Sequence, residues 1–242
     1  MWSVLLIGAM EEEIKPIVER CNLAQHYSAP YTYYAGTVGH IRLFATVCKV
    51  GKVAMASCAQ HFITLTKHSP LFKDREIDAI INIGVAGGFY SELKQGDIVV
   101  ASKLCQHDMD VTGLGYPLGK NPDYDDIYID SSVVFQETFA NAYISIKPDY
   151  KMYQGIIASG DMFVSSSERK DFIVKNFDAM ACEMEGAALA QVCEDNGVPF
   201  AVLRAISDLA DGEAPLSYED FKTKAIENFT DLLMVFFEKL QK

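Results

Sequence analysis

The chain has 242 residues, half of them hydrophobic, which suffices for one sizeable core and is short for two independent ones. We therefore expect a single domain over residues 1–242. The formal net charge of −12 argues against nucleic acid or an anionic membrane as a partner, because a negative field repels phosphate groups. A small neutral or cationic ligand is easier to accommodate.

The six cysteines favour a reducing compartment. They include no C-x-x-C pair, and several lie inside apolar runs, where a free thiol behaves as a small hydrophobe. The apolar run 2–8 is too short for a signal peptide and leads directly into three glutamates. We expect a cytoplasmic protein without a membrane-spanning segment.

Apolar strands and amphipathic helices alternate along most of the chain, which predicts an α/β fold. The periodicity is lost between residues 105 and 128, and long irregular segments in compact domains are usually functional or form interfaces. The predicted elements, in chain order, are strand 4–8, helix 11–20, strands 31–38 and 40–47, helix 51–67, strands 78–84 and 97–101, helix 131–142, strand 153–158, a helix after a capping box at Ser165 and Glu168, strand 178–182, helix 185–195, strand 199–206 and helix 217–240.

Three groups of acidic residues follow strands or begin helices: Glu11–Glu13, Glu183 with Glu185, and Asp208. The carboxyl ends of strands form the ligand crevice of open α/β sheets, so these carboxylates can meet there. Such an arrangement suits an acid and a base that act on one substrate. Each group also has a plain structural explanation, because acids stabilise the first turn of a helix and Asp208 fits a turn.

Three further features are less specific. Gly84–Gly88 lacks the G-x-G-x-x-G spacing of dinucleotide sites and predicts a glycine-rich turn at which the backbone approaches a ligand. His107, Asp108 and Asp110 lie too close together in a loop to form a complete metal site. Arg204, in an apolar strand, needs a carboxylate or an ordered water once it is buried.

Seven motifs, in order along nearly the whole chain, resemble the 5′-methylthioadenosine/S-adenosylhomocysteine nucleosidases. The resemblance implies a nucleoside phosphorylase-like fold, an α/β three-layer sandwich with a central mixed, partly barrel-like sheet flanked by helices. It also implies a homodimer that hydrolyses an adenine N-ribosidic bond without a metal or cofactor, a reaction of methionine salvage. The motifs are Gly8–Glu13, Lys49–Val53, Gly84–Gly88, His107–Val111, Ala158–Phe163, Glu183–Ala187 and Arg204–Asp208.

The resemblance implies roles for individual residues. Glu12 is expected to be the base that activates water, and Asp208 the acid that protonates adenine N7. Leu114 and Pro117, in the irregular segment, are expected to reach the 5′ pocket of a partner subunit. The implied substrate contacts are Ser207, Phe163 and Val164 at the purine, Met184 and Glu185 at the ribose, Arg204 near the water, and Gly87 and Val85 in the glycine-rich segment.

Several alternatives stay open at this stage. A purine nucleoside phosphorylase would bind phosphate through arginines where this chain has Glu12 and Asn82. A non-catalytic nucleoside-binding protein need not keep both Glu12 and Asp208. Val85 stands where many of these nucleosidases have serine, and the valine form occurs in enzymes that also cleave 6-amino-6-deoxyfutalosine. The preferred substrate among methylthioadenosine, S-adenosylhomocysteine, 5′-deoxyadenosine and aminofutalosine is therefore open.

Overall fold

A mixed β-sheet forms the centre of the molecule. The computed structural model describes residues 1–69, 72, 76–210 and 214–240, with the backbone alone over 214–220. The strands within these ranges are β1 (Trp2–Gly8), β2 (Ala24–Ser28), β3 (Tyr31–Val38), β4 (Ile41–Val47), β5 (Ala79–Gly88), β6 (Ile98–Gln106), β7 (Ile129–Asp130), β8 (Met152–Ser159), β9 (Ala181–Glu183) and β10 (Phe200–Asp208).

Part of the sheet closes on itself. The pairing runs β10–β6–β8–β9–β5, and β5 pairs with β10 again, so five strands form a closed barrel. Strands β1, β4, β3 and β2 extend the sheet from β5. The parallel pairs β1–β5 and β10–β5 bring the carboxyl ends of these three strands to one edge. The predicted mixed, partly barrel-like sheet is confirmed.

Helices cover both faces of the sheet and make it the middle of three layers. One apolar core contains residues of α2 and α5, and a second contains residues of α1, α3 and α6. A smaller third core contains residues of α4. Burial of apolar side chains on both faces is the main stabilising contribution in such a sandwich. The described α-helices are α1 (Glu11–Arg20), α2 (Lys52–His68), α3 (Val133–Ile146), α4 (Ser167–Phe177), α5 (Gly186–Asn196) and α6 (Ala214–Lys239).

The structure differs from the predicted elements in several places. Strand β2 was not predicted, because its side chains are mostly exposed and carry no apolar alternation. Strand β5 continues through Gly88, so the glycine-rich segment is extended backbone and not the predicted turn. The hydroxyl of Ser166, and not Ser165, caps α4 by accepting the Arg169 N–H. Helix α6 begins at Ala214, three residues before its predicted start.

Within the described ranges, the helices are all too short or too polar to cross a bilayer. All six cysteines are free thiols.

Candidate active site

A cavity of about 240 Å³ lies at the carboxyl ends of β1, β5, β9 and β10. Four carboxylates line it, and the described residues that line it include no lysine or arginine. The cavity therefore presents negative charge and hydrogen-bond acceptors to a ligand, next to apolar walls. Its carboxylates are Glu13, Glu183, Glu185 and Asp208.

The first carboxylate, Glu13, comes from the first turn of α1. Helical spacing places it on the same face as Ile17, and both side chains are buried against the sheet. Only 2% of Glu13 is exposed. Its Oε2 accepts the N–H groups of Ala9 at 2.7 Å and Met10 at 3.0 Å, which fixes the carboxylate at the start of the helix.

Burial raises the pKa of Glu13, and the opposing charge of Arg204 and three backbone hydrogen bonds only partly offset this effect. A carboxylate with a raised pKa accepts a proton more readily than a solvated one. Glu13 is therefore suited to act as a general base near neutral pH.

Glu12, the base that the sequence analysis predicted, does not line the cavity, and its neighbour Glu13 does. Glu12 points outward from α1, its side chain is 56% exposed, and it pairs with Lys222 at 3.4 Å. The signal that selects Glu13 was present in the sequence, because Ile14 and Ile17 mark the buried face of the helix.

Asp208, a second carboxylate that lines the cavity, terminates β10 and is buried. Ser207 Oγ donates to its Oδ2 at 2.8 Å, and the Ala210 N–H donates to its Oδ1 at 2.9 Å. The register pairs Asp208 with Gly87 of β5, and a Cβ at Gly87 would lie 3.1 Å from Oδ1 and 2.9 Å from the Ala210 Cβ. Glycine at position 87 thus leaves room for this carboxyl group.

Arg204 lies beneath the cavity and is not among the residues that line it. Its guanidinium binds the Glu183 carboxylate and the Asn82 side chain, and Glu185 Oε2 is 3.7 Å away. Burial opposes its charge, but the surrounding glutamates raise the pKa of Arg204, so it stays cationic. The sequence predicted a carboxylate or an ordered water as the partner of a buried Arg204, and Glu183 supplies the carboxylate.

Glu185 is the N-cap residue of α5 and accepts the Gly51 N–H at 2.8 Å. Burial, followed by the charge of Glu183, raises the pKa of Glu185 to about 7, against the effects of Arg204 and of the Gly51 hydrogen bond. Near neutral pH this side chain is present both as an acceptor and as a neutral group that donates a hydrogen bond.

Most of the remaining predicted contact residues line the cavity, but Leu114 and Pro117 do not. Phe163 is 48% exposed at the cavity mouth, and Leu114, at 76% exposure, lies with Pro117 away from the cavity of its own chain. The sequence prediction missed Cys182, Met10, Val50 and Met162, apolar side chains that carry no chemical signature. The predicted residues that line the cavity are Val85, Gly87, Phe163, Val164, Met184, Glu185, Ser207 and Asp208.

Among the described residues, no group of three or more histidine, cysteine or acidic side chains is arranged to hold a metal ion. His107 is buried, and its Nδ1 lies 3.1 Å from a guanidinium nitrogen of Arg169. A cationic neighbour at this distance is incompatible with metal coordination by the same nitrogen.

Comparisons with known proteins agree with this architecture. A family model described as the phosphorylase superfamily matches residues 3–238. A 5′-methylthioadenosine/S-adenosylhomocysteine nucleosidase from Shewanella sp. (strain W3-18-1) is 36% identical over 98% of each chain. The crystal structure of such a nucleosidase from Neisseria meningitidis, in complex with methylthio-immucillin-A, superposes with a TM-score of 0.91 at 33% identity, covering 99% of this chain and 100% of the other.

A futalosine hydrolase from Helicobacter pylori is also similar, with a TM-score of 0.89 at 33% identity over 99% of this chain and 98% of the other. The chain belongs to the phosphorylase superfamily, in its family of 5′-methylthioadenosine/S-adenosylhomocysteine nucleosidases. It is an enzyme of the class that hydrolyses N-glycosyl bonds.

Proposed function

We propose that this protein hydrolyses the N-ribosidic bond of 5′-methylthioadenosine and S-adenosylhomocysteine, releasing adenine and the 5-substituted ribose. One observation carries the proposal: Glu13 and Asp208 come from different elements and line the same cavity. The similar nucleosidase from Neisseria meningitidis binds a methylthio-nucleoside analogue, which supports the same substrate class.

Cleavage requires an acid at the purine. Adenine leaves poorly as an anion, so the bond from C1′ to N9 breaks more easily when a ring nitrogen gains a proton. Asp208, in its protonated form, donates that proton to N7. Ser207 orients the carboxyl group through its hydroxyl, and Phe163 and Val164 enclose the base.

A base is required on the sugar side. Glu13 removes a proton from the water whose oxygen attacks the oxocarbenium-like C1′. Arg204 beneath the cavity limits the rise in the Glu13 pKa, so that the ionised form remains accessible. Met184 packs against the ribose, and Glu185 exchanges hydrogen bonds with its hydroxyls.

Water suits this cavity better than phosphate. A phosphorylase must hold an anionic nucleophile, and the four carboxylates, with no lysine or arginine among the described lining residues, would repel it. Asn82, where the phosphorylases have an arginine, is buried and binds Arg204 and the Ile7 carbonyl.

Hydrolysis of aminofutalosine is a second candidate, favoured by the similarity to a futalosine hydrolase. The cavity shares Ala9, Met10 and Val50 with a larger groove of about 1340 Å³, which gives a bulky 5′ substituent room beyond the ribose. We include aminofutalosine and 5′-deoxyadenosine in the proposed substrate range.

The test is incubation with methylthioadenosine in phosphate-free buffer, with free adenine measured by chromatography. The proposal predicts adenine release that is independent of added phosphate. Release only with phosphate would instead identify a phosphorylase, and binding without release a nucleoside-binding protein. Parallel assays with S-adenosylhomocysteine, 5′-deoxyadenosine and aminofutalosine rank the substrates.

The proposal includes a homodimer in the cytoplasm. The exposure of Leu114 and the open groove beside the cavity support a contact between two subunits in which Leu114 and Pro117 of one chain reach the 5′ pocket of the other. Six free thiols are compatible with a reducing compartment.

A further inference from the structure

Three of the sequence motifs contain polar residues that the proposed reaction does not use. These polar residues are Lys52 at the start of α2, Asp108 after β6 and Asp161 after β8. Although far apart in the chain, these residues meet beside the cavity. We refer to them together as the rim triangle.

The rim triangle is closed by hydrogen bonds on all three sides. Lys52 Nζ donates to Asp108 Oδ1 at 2.6 Å, and the Asp161 N–H donates to Asp108 Oδ2 at 2.9 Å. The backbone N–H of Lys52 donates to Asp161 Oδ1 at 2.8 Å. Both carboxylate oxygens of Asp108 are therefore engaged, one by a charge and one by the backbone.

The charged pair in the triangle is shielded from solvent. The side chains of Lys52 and Asp108 are 18% and 25% exposed, and Lys52 Nζ also donates to Gln106 Oε1 at 3.0 Å. Burial favours the neutral acid, but the hydrogen bond from Lys52 and the backbone N–H of Asp161 outweigh it and lower the pKa of Asp108. The pair thus stays ionised at neutral pH.

The residues next to the triangle form the open rim of the cavity. Val50 lies two residues before Lys52, and Met162 and Phe163 follow Asp161 directly. These three rim side chains are exposed, so packing alone constrains them weakly. Backbone hydrogen bonds at Lys52 and Asp161 therefore help to fix the backbone of the rim.

The triangle also reaches the ribose end of the site. Gly51, directly before Lys52, donates its N–H to Glu185 Oε1. Its φ of 102° and a Cβ position 3.1 Å from Asp161 Oδ1 bring the backbone close to the triangle in a conformation that favours glycine. A shift of Lys52 would move this N–H away from Glu185.

We propose that Lys52, Asp108 and Asp161 are positioning residues, which fix the rim around the purine and Glu185 against the ribose in the geometry that binds the nucleoside. The role deepens the proposed function and rests on it. None of the three is assigned a step of proton transfer, so their loss weakens binding of the nucleoside more than it slows the chemistry.

The test compares substitutions that break the triangle with one that keeps it. Lys52→Met and Asp108→Asn remove the charged contact, and Asp161→Ala removes the acceptor for the Lys52 N–H. Asp161→Asn retains a carbonyl oxygen that accepts this bond and serves as the conservative variant. Asp130→Asn breaks an exposed pair with Lys103 at 3.1 Å elsewhere and serves as the control.

Each variant is assayed for KM and kcat with methylthioadenosine, for the Kd of adenine by calorimetry and for thermal unfolding. Breaking the triangle is expected to raise KM and Kd about 10-fold and to change kcat less than about threefold, as for loss of a charge-assisted hydrogen bond. Asp161→Asn and Asp130→Asn should stay close to wild type. In the double variant of Lys52 and Asp108 the effects should not add.

Wild-type KM and Kd in Lys52→Met and Asp108→Asn would overturn the proposal, and so would reduced thermal stability with unchanged affinity. If either variant fails to fold, the comparison of Asp161→Ala with Asp161→Asn decides in the same way. Failure of the proposed function is distinguishable from failure of this proposal. In that case the wild-type protein would release no adenine, but the Kd of adenine in each variant would still report on the rim.

Discussion

Glu12 and Glu13 show how strongly position on a helix determines the chemistry of a side chain. The two residues are identical and adjacent, but Glu12 lies on the solvent face of α1 and Glu13 lies on the buried face, which it shares with Ile17. Burial raises the pKa of Glu13, and the carboxylate of this residue lines the cavity. Glu12 forms a partly solvated ion pair of the kind that contributes about 0–1 kcal/mol.

The raised pKa of Glu185 predicts that the stability of the protein depends on pH. Its pKa is raised from 4.5 to about 7 in the fold, so the native state favours the neutral acid. The contribution of neutral Glu185 to the free energy of unfolding is fully present below pH 4.5 and is lost as the pH rises through about 7. Relative to Glu185→Gln, the wild-type free energy of unfolding should fall by on the order of 3 kcal/mol across this window.

Urea unfolding of both proteins between pH 4 and pH 8 provides the measurement. Glutamine still offers an oxygen to the Gly51 N–H, so the two proteins differ mainly in their ability to ionise. Parallel stability curves for wild type and Glu185→Gln would contradict the raised pKa.

At the scale of secondary structure elements, strand β5 brings backbone close to both carboxylates of the proposed mechanism. Gly84 approaches Glu13, and Gly87 approaches Asp208. The sequence predicted close backbone approach here but placed it in a turn. Continued pairing of β5 with β10 holds the segment extended instead.

Gly84→Ala should impair catalysis with little loss of stability. The new Cβ would lie 2.8 Å from Glu13 Oε1, and this carboxylate must move to relieve the contact. A displacement of about 1 Å at a catalytic group can lower the rate about 10²-fold. Steady-state kinetics and thermal unfolding measure the two effects.

The matched control is Gly88→Ala in the same strand. Its Cβ would lie 3.1 Å from the Ile206 side chain, and its three nearest atoms include no carboxylate oxygen. It should leave kcat within about threefold of wild type, because the Glu13 carboxylate is undisturbed. Equal losses of activity in both variants would show that the effect of Gly84→Ala is not specific to Glu13.

Local patterns predicted most elements, because their signals lie within single segments. Apolar runs marked β1, β5 and β10, and the spacing of Ile14 and Ile17 contained the information that selects Glu13. Non-local features escaped prediction. Closure of the five-strand barrel depends on β10 pairing with strands distant in sequence, and the link between Arg204 and Glu183 depends on that closure.

At the scale of the whole molecule, the proposed dimer makes Leu114 a test residue. We expect light scattering to give twice the chain mass of 26.8 kDa. Leu114→Asp should raise KM for methylthioadenosine about 10-fold, because a charge replaces an apolar contact at the partner's 5′ pocket. Ile144→Asp changes an exposed apolar residue of α3 and should have wild-type KM. A monomeric wild type with full activity would contradict the shared pocket.

The central claim is that an acid and a base act from opposite ends of one cavity, with Glu13 as the base. The most direct test measures kcat for adenine release from methylthioadenosine in Glu13→Gln, Glu12→Gln and Asp208→Asn. We predict losses of about 10²–10⁴-fold for Glu13→Gln and Asp208→Asn, with folding retained. Glu12→Gln should stay within about twofold of wild type. Near-normal turnover in Glu13→Gln, or a severe loss in Glu12→Gln, would contradict the claim.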